Sequence, residues 1–242
     1  QKTYKSDPFG RLVEVREFTG TFGTVNWDAS AYGTTTYAYN HLDLLTSVTD
    51  AAGNVTTITY DSMGRKIEMT DRDMGTWQYE WDDASNLKWQ RDARGQHICF
   101  YCDQLNRVTG KHYRMDANCP SSPTLNVQYV YDATVGGNKG LGYRTSMADA
   151  TGSTHWKYDE RGRVISETKR IDTATYWTQW TYDPQDRVLT QTYPGGNAGQ
   201  AGEVVTTAYG KWGHPATLTG TDNYVVKAMP DDAGRIDYLK LG

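Results

Sequence analysis

The chain has 242 residues and a net charge of −4, with 25 basic and 29 acidic side chains well mixed, which argues against a nucleic-acid partner. No run approaches about 18 apolar residues and no apolar leader follows Gln1, so neither a membrane span nor a signal peptide is expected within the sequence. Its 18 Tyr, 8 Trp and 24 Gly are a composition of strands and turns.

The first predicted element is a turn. Asp7–Gly10 puts Asp first and Gly fourth, as a type I turn prefers. Residues 16–36 are the least regular stretch. From 37 to 110 the pattern is strict: Tyr39, Tyr60, Trp81 and Cys102 follow at intervals of 21 residues. Two positions before each stands Tyr37, Ile58, Tyr79 or Phe100, and the residue between is mixed. Large, mixed, large is a period of two, which predicts a half-buried strand. Asp-x-x-Gly or a variant follows the anchor, at Asp61–Gly64 and Asp103–Asn106. A second set falls half a repeat later, at Asp50–Gly53 and Asp92–Gly95, and Asp71–Gly75 has one extra residue. The Asp side chain should accept backbone N–H groups of the turn. Gly or Asn should take the left-handed conformation that closes a bulged hairpin.

Cys99 and Cys102 have the C-x-x-C spacing of redox and zinc sites. On a strand, residues three apart face opposite ways and lie about 10 Å apart, beyond the Cα separation of about 7 Å that a disulfide spans. They are not expected to bond to each other. A bridge from Cys119 to either one is open.

From 111 to 242 the repeats are looser. After Cys102 the anchors Tyr131, Tyr158, Tyr182 and Tyr209 follow at steps of 24 to 29 residues, with turns at Asp149–Gly152, Asp159–Gly162, Asp183–Asp186 and Asp231–Gly234. His112–Gln128, with Cys119, Pro120 and Pro123, reads as a surface excursion. Ala133–Gly142 and Pro194–Gly202 are Gly-rich and read as flexible loops. Two strands of about six residues and two four-residue turns account for about 20–21 residues. Each repeat is therefore one hairpin. The fold class is all-β: one domain over 1–242, a curled ribbon of antiparallel hairpins. Its strands should run five to eight residues, with no helix longer than two turns.

The phrases YDSMGR (60–65), YDERGR (158–163) and PDDAGR (230–235) resemble the YD repeat of the Rhs and teneurin families. SDPFGR (6–11), CDQLNR (102–107) and YDPQDR (182–187) are variants of it. The resemblance covers nearly the whole chain. It implies a β-ribbon spiralling into a hollow shell, part of a secreted or cell-surface protein. In bacterial members the shell encloses a C-terminal toxin, and in teneurins it serves adhesion. Some bacterial members release their cargo with an aspartate-based core that includes Asp-Pro-x-Gly. Asp7–Pro8–Phe9–Gly10 has those letters, but inside an ordinary turn.

The expected role is a non-catalytic segment of shell wall. Its partners would be neighbouring shell segments or an encapsulated toxin, and two copies could pair through open sheet edges. No cofactor, metal or catalytic residue is expected, since no nucleophile–base, phosphate-loop or His-Glu-x-x-His pattern occurs. The Asp residues recur one per turn, whereas calcium needs converging oxygens. The Arg after each turn is expected to pair loosely with a nearby Asp. The competing reading is a carbohydrate- or ligand-binding module. For it, Trp177 and Tyr101 are the candidate contacts, because they lie on the opposite strand parity from Trp180 and Cys102.

Overall fold

A computed structural model describes residues 1–19, 31–116, 118–196 and 199–242. Most of the irregular stretch at 16–36, namely 20–30, lies outside them, as do 197–198 of the loop after Pro194. The chain divides into two units, 1–124 and 125–242, and each is considered by itself.

In the first unit ten strands follow in order: β1 (Lys2–Ser6), β2 (Leu12–Glu17), β3 (Gly33–Tyr39), β4 (Leu45–Thr49), β5 (Val55–Tyr60), β6 (Lys66–Asp71), β7 (Gly75–Trp81), β8 (Leu87–Arg91), β9 (His97–Cys102) and β10 (Val108–Arg114). Each pairs antiparallel with the next. The second unit repeats the plan with β11 (Val127–Tyr131), β12 (Arg144–Asp149), β13 (Gly152–Tyr158), β14 (Val164–Ile171), β15 (Ala174–Tyr182), β16 (Val188–Pro194), β17 (Ala201–Tyr209), β18 (Pro215–Thr219), β19 (Asn223–Pro230) and β20 (Ile236–Leu241). These also pair consecutively and antiparallel. The helical content among the described residues is one 3-10 turn, Val135–Gly137.

Strand alternation follows the anchor parity. In β5, Thr56, Ile58 and Tyr60 are half-buried while Val55, Thr57 and Thr59 are exposed. β13 shows the same contrast between Trp156 and Tyr158 on one side and His155 and Lys157 on the other. Within each unit the strands pair edge to edge, so full burial of apolar side chains is sparse among the described residues: Phe18 and Cys99 in the first unit, Val127, Val205 and Ala228 in the second. Stability therefore depends on strand-to-strand and turn-to-turn links more than on a deep core. β15 and β17 run to nine residues, longer than expected; the β14–β15 ladder continues to Ile171 and Ala174, across a two-residue turn.

The loop after β10 is tied down. Cys119 bonds Cys99, with 5.7 Å between Cα atoms, and Cys102 is free. Tyr101 Oη donates to the Pro120 carbonyl at 2.8 Å, and His112 Nδ1 lies 2.7 Å from the Thr124 carbonyl. The face of β9 that carries His97, Cys99 and Tyr101 thus gains a cover. His97 and Cys99 are the most completely buried large side chains, and His97 stacks on Trp89 at 4.6 Å.

The Gly-rich segment 133–142 is a built structure and not the flexible loop its composition suggested. Asn138 is buried. Its Nδ2 donates to the Trp156 carbonyl at 3.1 Å, and its Oδ1 accepts the Tyr158 N–H at 2.8 Å. The Lys139 N–H then donates to the Tyr158 carbonyl at 3.0 Å. One amide side chain so continues the pairing of β13 past the end of β12. Gly140 is required for this packing, since a Cβ there would meet the Ala133 carbonyl at 2.6 Å.

Candidate functional site

The repeated turn is the structure's main chemical feature. At Asp183 the turn closes with the Asp186 N–H donating to the Asp183 carbonyl at 3.1 Å and the Asp183 N–H to the Arg187 carbonyl at 2.9 Å. Asp186 takes φ +67°, and the register of β15 and β16 shifts at the junction. That is the expected type I turn with a bulge. The Asp183 carboxylate does the capping: Oδ1 accepts the N–H groups of Gln185 and Arg187, both at 2.9 Å.

Its Oδ2 accepts Arg187 Nε at 2.6 Å and Nη2 as well. The same i to i+4 ion pair recurs at Asp7–Arg11, Asp61–Arg65, Asp103–Arg107, Asp159–Arg163 and Asp231–Arg235. The expectation of a loose pair is wrong. Charge-assisted, two-pronged bonds fix the guanidinium in one orientation. Burial works against ionisation of Asp183, but the hydrogen bonds from Arg187 and from the turn N–H groups outweigh it and hold the carboxyl below 3.8.

Once fixed, four of these Arg side chains reach forward one repeat. Arg163 lies 4.6 Å from the Tyr182 ring centroid and Arg187 4.2 Å from that of Tyr209. Arg11 sits 5.1 Å from Tyr39, and Arg65 5.9 Å from Trp81. Arg163 Nη1 also bonds the next turn, at Asp186 Oδ1, 2.7 Å, and the Asp183 carbonyl, 3.2 Å. The anchor ring returns the link. Tyr182 Oη donates to the Val164 carbonyl at 2.6 Å and Tyr209 Oη to the Val188 carbonyl at 2.8 Å. Tyr39 and Tyr60 do the same to Leu12 and Leu45. At Trp81 the indole Nε1 replaces the hydroxyl and reaches the Lys66 carbonyl at 2.8 Å. The acceptor in each case immediately follows the Arg position of the preceding turn.

Tyr, Asp, Gly and Arg are thus one clamp between successive hairpins. The signal for this was in the sequence, but its direction, from one repeat's Arg to the next repeat's ring, was not read from it. The turns after Tyr39 and Trp81 lack the full phrase. Asn40–Asp43 and Asp82–Ser85 close the same way, with φ of +61° at Asp43 and +64° at Ser85. At Tyr143 the Arg position carries a ring that stacks on Tyr158 at 4.7 Å. Asp149–Gly152 departs from the expected bulged turn. It is a two-residue hairpin in which Asp149 pairs with Gly152, and a Cβ on Gly152 would lie 1.9 Å from the Arg170 carbonyl.

The two candidate ligand contacts lie apart from the clamp, on the other parity of their strands. Each is half-buried and bonded to a loop: Tyr101 to Pro120, and Trp177 Nε1 to the Gly199 carbonyl at 3.2 Å. They belong to different units and are not brought together by the pairing within either. Free Cys102 replaces an anchor ring, and burial first, then Asp82 and Asp103, push its thiol pKa up. It is therefore a poor nucleophile.

Two stretches, 39–73 and 158–198, match the family model described as RHS Repeat. No curated protein matches the chain in sequence. Among solved structures, the chain is similar to the TcdB2–TccC3 complex without its hypervariable C-terminal region, with TM-score 0.80 and 15% identity, over 98% of this chain and 13% of that one. It is similar also to the Tc holotoxin pore of Photorhabdus luminescens carrying a TccC3 point mutation, with TM-score 0.78 and 16% identity, over 98% and 12% of the two chains. At these identities the likeness is one of fold, and the chain spans about an eighth of the length of the structures it matches.

Proposed function

We propose that this chain, a YD-repeat protein of the Rhs type with the YD-shell fold, is a non-catalytic segment of shell wall that separates an enclosed compartment from solvent. The observation that carries the reading is the clamp. Its bonds run from hairpin to hairpin and leave the Asp and Arg groups of these turns occupied with each other, which suits a wall and not a reaction. Solved structures of the same fold come from Tc toxin complexes, which supports neighbouring shell segments and an enclosed C-terminal toxin as partners, in a secreted or cell-surface protein. The whole chain, 1–242, would act as one stretch of ribbon.

Limited proteolysis of the full-length product tests this. A cargo segment that resists protease when attached to the wall, and is cut when expressed apart from it, supports the reading. Equal sensitivity in both forms overturns it. Pairing of two copies through open sheet edges is a further part of the proposal. Light scattering would then report twice the 27.2 kDa of one chain, and a monomer at high concentration would refute it. A glycan array read with Trp177→Ala and Tyr101→Ala separates the ligand-binding reading: binding that those changes abolish would favour it over the wall.

A further inference from the structure

One repeat of the second unit replaces the Asp, the Arg and the next anchor ring of the clamp while keeping the turn glycine, and the replacements fit one another. After Tyr209, Gly210 stands where the other turns have Asp, and His214 where they have Arg. Pro230 stands at the next anchor. The turn still closes, with the Gly210 N–H donating to the His214 carbonyl and the Gly213 N–H to the Gly210 carbonyl, both at 2.9 Å, and Gly213 at φ +78°. The His214 ring folds back over Gly210: a Cβ there would lie 2.3 Å from His214 Cε1. The imidazole therefore fills the volume that an Asp carboxylate takes in other repeats. Turned back in this way, His214 cannot reach forward as Arg163 and Arg187 do, and Pro230 brings no ring.

What remains is a cavity of about 660 Å³ lined by Lys211, Trp212, His214, Pro230, Asp231 and Asp232 among others, all within residues 125–242. Trp212 is 79% exposed there. The His214 ring, packed on Gly210, forms part of the cavity wall.

We infer that this cavity binds a tyrosine side chain presented by another polypeptide segment. The repeat itself names the occupant. At the equivalent place in neighbouring repeats sits a phenol whose hydroxyl donates to the residue after the Arg position, as Tyr182 does to Val164 and Tyr209 to Val188. Pro215 holds that position here; it is not in the cavity lining but directly follows His214, which is. The volume exceeds what one phenol ring needs. Trp212 gives it an aromatic face for offset or edge-on packing, and the carbonyl of residue 215 is the acceptor that the repeat assigns to its hydroxyl. Lys211 and Asp232 supply polar groups for the backbone that carries the ring. The inference does not depend on the shell reading.

The probe is N-acetyl-tyrosinamide, titrated into the chain while the Trp212 indole and His214 ring signals are followed by NMR. Saturable shifts of both are expected, with none from N-acetyl-alaninamide or N-acetylglucosamine. Pro230→Tyr, with the parent's circular dichroism, should abolish the response because the chain's own ring fills the cavity. Should that variant fail to fold, Trp212→Ala carries the same comparison and should lose the response. No saturable shift in the parent, an undiminished response in the variant, or saturation of the same signals by N-acetylglucosamine would each overturn the inference.

Discussion

Arg187 holds Asp183 in its own turn at 2.6 Å and lies 4.2 Å from the centroid of the Tyr209 ring in the next repeat. One guanidinium therefore serves two hairpins. Its fork is preorganised by the carboxylate, so little rotamer entropy is left to lose when it meets the ring. Cation–π contacts contribute about 0.5–2 kcal/mol each, and a ring hydroxyl bonded to a backbone carbonyl about 0.5–1.5 kcal/mol net. Repeated along the array, such links offset the sparse burial of apolar side chains.

The hydroxyl half of the clamp is tested by Tyr182→Phe, which removes only the bond to the Val164 carbonyl. A loss of about 1 kcal/mol in urea unfolding is expected. Tyr182→Leu should cost more, because the contact with Arg163 goes too. If parent and Phe variant unfold at the same midpoint, that bond does not stabilise the fold.

Gly64 has φ +78°, and a Cβ there would come 3.3 Å from Leu44 Cδ1. Gly64→Val should therefore destabilise by about 1–2 kcal/mol, since a branched residue is strained in the left-handed region. Gly64→Asn should cost less, as Asn106 already holds φ +61° at the same turn position. A Val variant that melts with the parent would refute the strain argument.

The pairing and period of the array were legible because a strand's period of two and the Asp–Gly turn are local signals, each complete within six residues at Tyr60–Arg65. Cys99 and Cys102 were separated correctly for the same reason. The Arg-to-ring contact was not legible, because Arg163 and Tyr182 meet only when two hairpins lie side by side. Nor was the role of Asn138, whose bonds to Trp156 and Tyr158 span about twenty residues inside a segment that composition alone marks as a loop. The choice of Cys99 for Cys119 depends on which face the loop covers, and strand alternation cannot supply that.

The acid side of the stability profile should belong to the turn carboxylates. Asp61, Asp103, Asp159, Asp183 and Asp231 are all held below 3.8 in the folded chain. Groups lowered by folding stabilise fully above their unfolded value and lose that contribution as pH falls through the folded one. Stability should thus be flat near neutrality and fall progressively below pH 3.8. Arg187→Gln should move the acid-unfolding midpoint upward by weakening the hold on Asp183. An unchanged midpoint would show that the turn N–H groups suffice.

Closing the 20-residue separation between Cys99 and Cys119 should stabilise by about 3 kcal/mol on the chain-entropy account. Reductant should lower the melting temperature and make the 115–124 segment cleavable. A non-reduced digest should link the peptides of Cys99 and Cys119 and leave Cys102 alkylatable. A Cys99–Cys102 link would contradict the strand over 97–102.

Single-particle imaging of the full-length product bears most directly on the wall. It should show a hollow shell, with these hairpins following one another in its wall and Arg11, Arg65, Arg163 and Arg187 each seated on the next repeat's ring. A particle with no lumen, or one in which these hairpins project from the wall as a separate module, would contradict it.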